Sequence, residues 1–404
     1  MSPALNPWRK IVFVFSFAQF IEAMFWGHLI AFLPLFVTQL GISKVDAAYY
    51  VALITAGCSI FGIIFLPMWG ALADKYGRKP LIVRTMFILL AGSVSMSLAA
   101  SLLVIVIARA ITEFSLGSSG LMMTSLTENV PSERIGLSYS IMNSVVPFAV
   151  ALGPLLGGPV VDRFGFHWLM MMDCALLVFT ALLLMVGFRE QYEVQRNSSA
   201  LRMAKESLSV IAGTRAIWSV FFILSILFCG PLLADAFGAI TINSLFPSLD
   251  PATRIGWIMG LGGFATMLFG PAIGWFADRY GLEKVLRIAI LINIVLWCLP
   301  LITPTLTLFA TSWAIGMGMT GGIFSNSFGL LTKVIPDDMR ARIMSFAYLP
   351  IKIASIITPI AGAMIFSTQN IRLLFPLVSG FSAVAVILLS RKSEFAPLAT
   401  ETLS

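Results

Sequence analysis

The chain has 404 residues, of which 58% are hydrophobic and only 11% charged, with a net charge of +7 and a mean hydropathy of +0.94. Soluble globular domains carry about 25% charged residues, so this composition excludes a water-soluble fold. The basic excess alone would suit nucleic acid or an acidic partner, and its placement along the chain decides against both.

The opening MSPALNPWRK leads into an apolar run from Ile11 to about Thr38. That run is too long for the core of a signal peptide and has no small-residue cleavage site at its end, which predicts an uncleaved first helix. Apolar stretches then recur along almost the whole length, each long enough to cross a hydrocarbon core of about 30 Å as a helix. They predict spans near 11–38, 48–71, 81–99, 102–127, 138–161 and 168–187, then near 216–240, 256–275, 285–302, 305–332, 343–366 and 371–390. Glycine and proline, 32 and 20 in number, fall within these stretches and mark packing seams and kinks. Cys58, Cys174, Cys229 and Cys298 each lie within an apolar span without CxxC or His-paired spacing, so neither a disulfide framework nor a metal site is expected.

Residues 188–215 form the long polar connection between the two sets of spans. The expected organisation is an N-terminal six-helix bundle at 1–187, a cytoplasmic linker at 188–215, a C-terminal six-helix bundle at 216–392 and a tail at 393–404. Apart from Arg109 and Lys352 inside the spans, Lys and Arg divide 20 to four between the two sides, the minority being Lys44, Arg163, Arg254 and Arg372. The positive-inside rule then places both termini in the cytoplasm, in a cell or inner membrane. The basic charge is a record of membrane orientation, and no nucleic-acid partner is expected.

The halves repeat each other. Gly70-Ala-Leu-Ala-Asp74-Lys-Tyr-Gly77-Arg78-Lys79 matches Gly274-Trp-Phe-Ala-Asp278-Arg279-Tyr-Gly281 at an offset of 204 residues. Pro131 and Pro336 correspond at an offset of 205, as do Gly153-Pro154 and Thr358-Pro359. A duplicated bundle with a binding site at the repeat interface is a recurrent transporter design.

The first loop resembles the major facilitator superfamily signature GxLaDrxGrkxxl, and the second is its sparser copy, with Leu282-Glu283 where the first has Arg78-Lys79. The resemblance covers essentially the whole chain. It implies an all-α membrane protein of the major facilitator fold, with two pseudo-symmetric six-helix bundles and twelve transmembrane helices. It also implies that Asp74 and Arg78 help hold the cytoplasmic side closed. Physically, Gly77 permits a tight turn, Asp74 suits an opposing helix N-terminus, and Lys75, Arg78 and Lys79 can pair with acids across the bundle interface or with anionic lipid. Span 5 carries Ala149-Val-Ala-Leu-Gly153-Pro154-Leu-Leu-Gly157-Gly158, similar to the gxxxGPxxGG motif of the drug–proton antiporter families except for Ala149. That similarity implies export. Small residues at helical spacing also allow ordinary close packing.

Ionisable residues inside spans cost about 2.5–3.5 kcal/mol each on insertion scales and are functional candidates by default. Glu22, Arg109, Glu113, Asp173, Asp235 and Lys352 fit that description. At 1.5 Å per residue, Glu22 lies roughly 16 Å along span 1 and Glu113 a similar distance along span 4. Glu22 sits among Phe17, Phe20, Met24, Phe25 and Trp26 and is the first choice for a proton or substrate-cation site. Arg109 and Glu113 stand at i,i+4, so a structural ion pair and a transport role are both open. Arg109 also resembles the arginine of the family's fourth-helix motif, although Thr112 and Glu113 replace the Gln and Gly there. Asp173 reads as interfacial. Lys352 neutralises an acid or holds an anionic group, and its context decides neither. The family's cavity is lined by spans 1, 4, 7 and 10, which would gather Glu22, Glu113 and Asp235. His28 reads as a packing residue or a titrating one, and His167, beside Trp168, as interfacial.

No HExxH, GxSxG, P-loop or paired His and Cys ligand pattern is present, so enzymatic chemistry, a bound metal and a cofactor are not expected. The expected function is proton-gradient-driven export of small lipophilic, cationic or neutral compounds by a monomer in contact with membrane lipid. Proton-coupled or facilitated uptake of a small metabolite, and lipid flipping, are the alternatives.

Overall fold

The computed structural model describes residues 7–390 apart from 44–45, 48, 52, 61–71, 73–75, 116–117, 189, 191–212, 304, 335–345, 347–348 and 368–369. Among the described residues every regular element is helical: α1 (Pro7–Gln39), α2 (Tyr49–Ile60), α3 (Arg78–Ser97), α4 (Leu102–Glu113), α5 (Ser118–Asn129), α6 (Ile135–Phe164) and α7 (Phe166–Gly187). They continue as α8 (Arg215–Leu245), α9 (Pro251–Tyr280), α10 (Leu282–Cys298), α11 (Leu306–Val334), α12 (Leu349–Ser367) and α13 (Leu374–Ser390). Nine stretches of described helix are long and apolar enough to cross a membrane. The remaining helices, α2, α11 and α12, occupy the places expected for spans 2, 10 and 11.

The expected fourth span is not one uninterrupted α-helix. It tightens after Glu113, where the amides of Phe114 and Ser115 reach back three residues to the carbonyls of Ile111 and Thr112, at 3.1 and 3.0 Å. The Thr112 hydroxyl donates to the Arg109 carbonyl at 2.7 Å, a back-bond of the kind that bends helices.

By packing, the chain forms two compact units. The first comprises Met1–Ile42, Gly57–Met203 and Ser248–Gly260, and the second Ser43–Ala56, Ala204–Pro247 and Leu261–Ser404. In the first, α1 packs along α6 and α7, and Phe15, Phe25 and Phe32 are fully buried. α7 shows how lipid inverts the usual pattern. Its exposed stripe is apolar (Met171, Val178, Phe179, Leu182, Met185), whereas its buried face holds Asp173 and Thr180. Hydrocarbon accepts the apolar face and refuses the polar one, so the polar groups turn inward to find partners.

In the second unit α8 packs against α12 and α13, and α10 against α11 and α13. Trp297 of α10 and Trp313 of α11 meet edge to face at 5.3 Å. Below them the Thr320 hydroxyl accepts from Asn293 Nδ2 at 3.2 Å and Trp297 Nε1 at 3.1 Å, pinning α10 to α11. The α11 glycines allow a close approach: a Cβ on Gly318 would stand 2.7 Å from the Phe269 ring of α9.

Gly77 and Gly281, which correspond across the repeat, have φ of +87° and +91° and open α3 and α10. The tight turn expected at Gly77 is therefore formed twice. Gly77→Ala and Gly281→Ala should each destabilise the purified protein by about 1–3 kcal/mol through forced left-handed backbone. Gly120→Ala, within α5 and with open space around its Cβ position, should not lower the melting temperature. A thermal melt followed by thiol-reactive dye, using the native cysteines, checks all three.

Candidate functional site

The site is built on α1. Ser16, Gln19 and Glu22 recur every three residues, so they share one stripe of an otherwise apolar helix. All three are buried, and Glu22 is 7% exposed. The Ser118 hydroxyl at the start of α5 reaches the Glu22 carboxylate at 2.8 and 3.0 Å from its two oxygens. Among the described residues Ser16 Oγ and Gln19 Oε1 are buried without a hydrogen-bond partner, so the stripe leading to Glu22 keeps unused polar capacity. Glu22 is marked in the sequence by its charge, whereas Ser16, Gln19 and Ser118 carry no such mark. The three-residue spacing on α1 was the available signal, whereas Ser118 is 96 residues away and needed the fold.

One turn beyond Glu22, Trp26 lies under the Arg109 guanidinium, whose Cζ is 4.9 Å from the ring centroid. Arg109 Nη1 also donates to Thr112 Oγ1 at 2.8 Å and to Glu113 Oε1 at 3.1 Å. The i,i+4 pair anticipated from spacing is formed, and it is buried. Arg109 thus ties α4 to the helix that carries Glu22, and among the described residues Glu113 has an ion partner whereas Glu22 has a hydroxyl.

Asp173 departs from its expected interfacial place. It is 2% exposed and hydrogen-bonded to a fully buried His28, because α7 turns its polar face inward. His167 is exposed, as expected, with Nδ1 2.6 Å from the Ser97 carbonyl oxygen, beside an exposed Trp168. Asp235 on α8 and Lys352 on α12 belong to the second unit and are partly buried.

The glycine motif of α6 lies against two helices. On one side a Cβ on Gly153 would stand 2.9 Å from the Met24 carbonyl oxygen of α1, and one on Gly157 would stand 2.8 Å from the Phe32 ring. On the other, a Cβ on Gly158 would be 2.6 Å from the Ala252 carbonyl oxygen in the first turn of α9, and one on Gly256 would collide with the Pro154 carbonyl. Backbones approach this closely only where side chains are missing. Just beyond, the Asp162 carboxylate accepts from the amides of Ala252 and Thr253 at 3.0 and 2.6 Å, capping α9 from a distant helix. Asp162 was not anticipated, and its only sequence signal is a carboxylate ending a Gly/Pro-rich span.

At the signature loop, Gly70 and Asp74 lie outside the described residues, as does Lys75. Gly77, Arg78 and Lys79 are described. Glu190, beyond the end of α7, accepts from the backbone amides of Arg78 and Lys79 at 2.6 and 3.1 Å, while Lys79 Nζ donates to the Met185 carbonyl at 2.7 Å. An anion caps the start of α3 and a cation the end of α7, each matching the helix dipole it faces. The second copy differs: Asp278 and Arg279 are exposed, and Arg279 stacks over Trp275 and Tyr280 at 5.6 and 5.9 Å.

A duplicated helical bundle, charges buried in its spans and close-packed glycine seams define a membrane transporter. The chain belongs to the Major Facilitator Superfamily, whose family profile matches residues 15–252 and 231–401. It is 23% identical over 367 residues to the multi-drug resistance efflux pump PmrA of Streptococcus pneumoniae, covering 89% of this chain and 90% of that one. It is 24% identical over 390 residues to the multidrug resistance protein MdtG of Citrobacter koseri, covering 94% of each. The nucleoside transporter NupG superposes with a TM-score of 0.76 at 17% identity, over 96% of this chain and 98% of that one. A D-xylose-proton symporter gives 0.76 at 15%, over 96% and 98%. These likenesses establish the major facilitator fold of a multi-pass membrane transporter.

Gly158→Ala and Gly256→Ala should each cost about 1–3 kcal/mol, the usual penalty of overpacking, read as a lower melting temperature in detergent. For Arg109 and Glu113, Arg109→Gln alone should destabilise by about 3–5 kcal/mol, the usual cost of removing one member of a buried ion pair. The double Arg109→Gln/Glu113→Gln variant should recover part of that loss in a double-mutant cycle.

Proposed function

We propose that the protein is a proton-coupled exporter of small lipophilic compounds, cationic or neutral, working by alternating access of its two bundles around a midplane site. The observation that carries the reading is Glu22: a carboxylate buried in mid-helix, held by one hydroxyl and bordered by unsatisfied polar atoms of the same stripe. Such a group binds a proton or an organic cation, and the two compete for one negative charge. That competition is the core of exchange. The apolar surroundings favour a lipophilic ligand, and Arg109 over Trp26 stabilises the neighbouring wall. Both relatives named above are called multidrug pumps or resistance proteins, which supports export over uptake.

In this reading the glycine seam of α6 supplies a contact that must open and close, and the loop around Asp74, Gly77 and Arg78 gates the cytoplasmic side. Proton entry drives the cycle, with no cofactor. Asp235 and Lys352 are the second unit's candidates for contact with substrate. The chain sits in the cell (inner) membrane with both termini in the cytoplasm, as the 20 to four division of basic residues supports, and acts as a monomer.

The test uses inside-out vesicles under an imposed pH gradient, acid inside, with ethidium as a lipophilic cation. The wild-type protein should accumulate ethidium, and dissipating the gradient should abolish accumulation. Glu22→Gln should weaken ethidium binding about tenfold or more, the equivalent of about 1.4 kcal/mol, and remove resistance in growth assays. Accumulation indifferent to the gradient, or full resistance in Glu22→Gln, would sink the reading.

A further inference from the structure

His28 stands six residues beyond Glu22, roughly 9 Å further along α1 at 1.5 Å per residue. It is completely buried, and its Nδ1 lies 3.0 Å from each carboxylate oxygen of Asp173, itself 2% exposed. Nε2, on the far side of the ring, is buried and has no hydrogen-bond partner among the described residues. That edge rests on α6: a Cβ on Gly157 would stand 2.9 Å from Cδ2 and 3.1 Å from Nε2, and one on Gly153 would stand 3.4 Å from Cδ2. The adjoining Gly158 meets the first turn of α9. One imidazole therefore touches an acid on α7 and the glycine seam of α6.

Other ionisable groups nearby are few. On α1, Glu22 is engaged by Ser118, and Arg9 and Lys10 lie at the far end. α6 presents glycines to the ring, and its Asp162 is taken by the amides of α9, with Arg163 exposed beside it and Tyr139 near the opposite end. α7 adds Cys174, next to Asp173, and His167, bonded to the Ser97 carbonyl. Among the described residues, only Asp173 is within hydrogen-bonding distance of His28.

Charge accounting then assigns a proton. A lone carboxylate buried away from water costs several kcal/mol. The pair is neutral as imidazolium with carboxylate or as imidazole with carboxylic acid, and both forms hold one proton more than neutral imidazole with carboxylate. Removing that proton leaves a net negative charge in a sealed apolar layer, which favours any rearrangement that admits water. The unpartnered Nε2 is where a donor or acceptor would enter, and the seam of Gly157 and Gly158 is what closes it off.

We propose that His28 and Asp173 form a proton-binding site of the transport cycle, separate from Glu22, whose occupancy permits the glycine seam of α6 to close on the first turns of α9. The role in transport rests on the export reading above, whereas the site itself is testable without it. The chain has only two histidines, and the other, His167, is exposed. Full-length protein labelled with ¹⁵N-histidine and carrying His167→Asn thus reports one ring by NMR in lipid nanodiscs. The His28 ring signals should report a change of protonation state as the sample pH is varied. Asp173→Asn should move that midpoint by about one unit, a tenfold change in proton affinity. In vesicles, His28→Gln and Asp173→Asn should lose gradient-driven ethidium accumulation yet keep downhill ethidium movement. A ring that holds one state across the range, a midpoint unmoved by Asp173→Asn, or undiminished accumulation in both variants would each overturn the proposal. Glu22→Gln, measured alongside, reports on the export reading independently, and the ring titration needs only the exposed substitution.

Discussion

A polar or charged atom in hydrocarbon must find its partner inside the protein, and nearly every specific feature of this transporter follows from that constraint. α7 hides Asp173 and Thr180 and shows Met171, Phe179 and Leu182 outward, the reverse of a soluble amphipathic helix. α10 and α11 are joined through one threonine hydroxyl that serves both an indole and an amide. Arg109 is satisfied three ways, by Thr112, Glu113 and the face of Trp26. Among the described residues several buried polar atoms are left without a hydrogen-bond partner, and Ser16 Oγ, Gln19 Oε1 and His28 Nε2 are the ones on α1.

Close packing supplies the second element. Without a hydrophobic force between helices in lipid, association depends on how near two backbones can come. α6 serves α1 through Gly153 and Gly157 and the start of α9 through Gly158. The same short sequence therefore forms two contacts with little tolerance for added atoms.

The helix ends are held by groups remote in sequence. Glu190 caps α3 and Asp162 caps α9, each carboxylate taking two backbone amides where the helix dipole favours negative charge. Lys79 answers at the C-terminal end of α7. Lys79 of the signature loop is thus tied into the end of the neighbouring helix.

Composition, span length and the offset of 204 residues between the two Asp-containing loops were enough to define the fold and the family, because hydropathy and local turn geometry are one-dimensional properties. The Arg109–Glu113 pair was equally legible, since i,i+4 neighbours on a helix meet whatever surrounds them. Glu22 announced itself as a charge among phenylalanines. Its partner Ser118, the union of His28 with Asp173 across 145 residues, and the caps from Glu190 and Asp162 did not. A serine or aspartate in a membrane span carries no mark of which distant helix it will face. That choice is made by the glycine seams, which set how closely and at what register α1, α6 and α7 pack. Only the tertiary structure could turn an apparently interfacial aspartate and an ambiguous histidine into a buried pair.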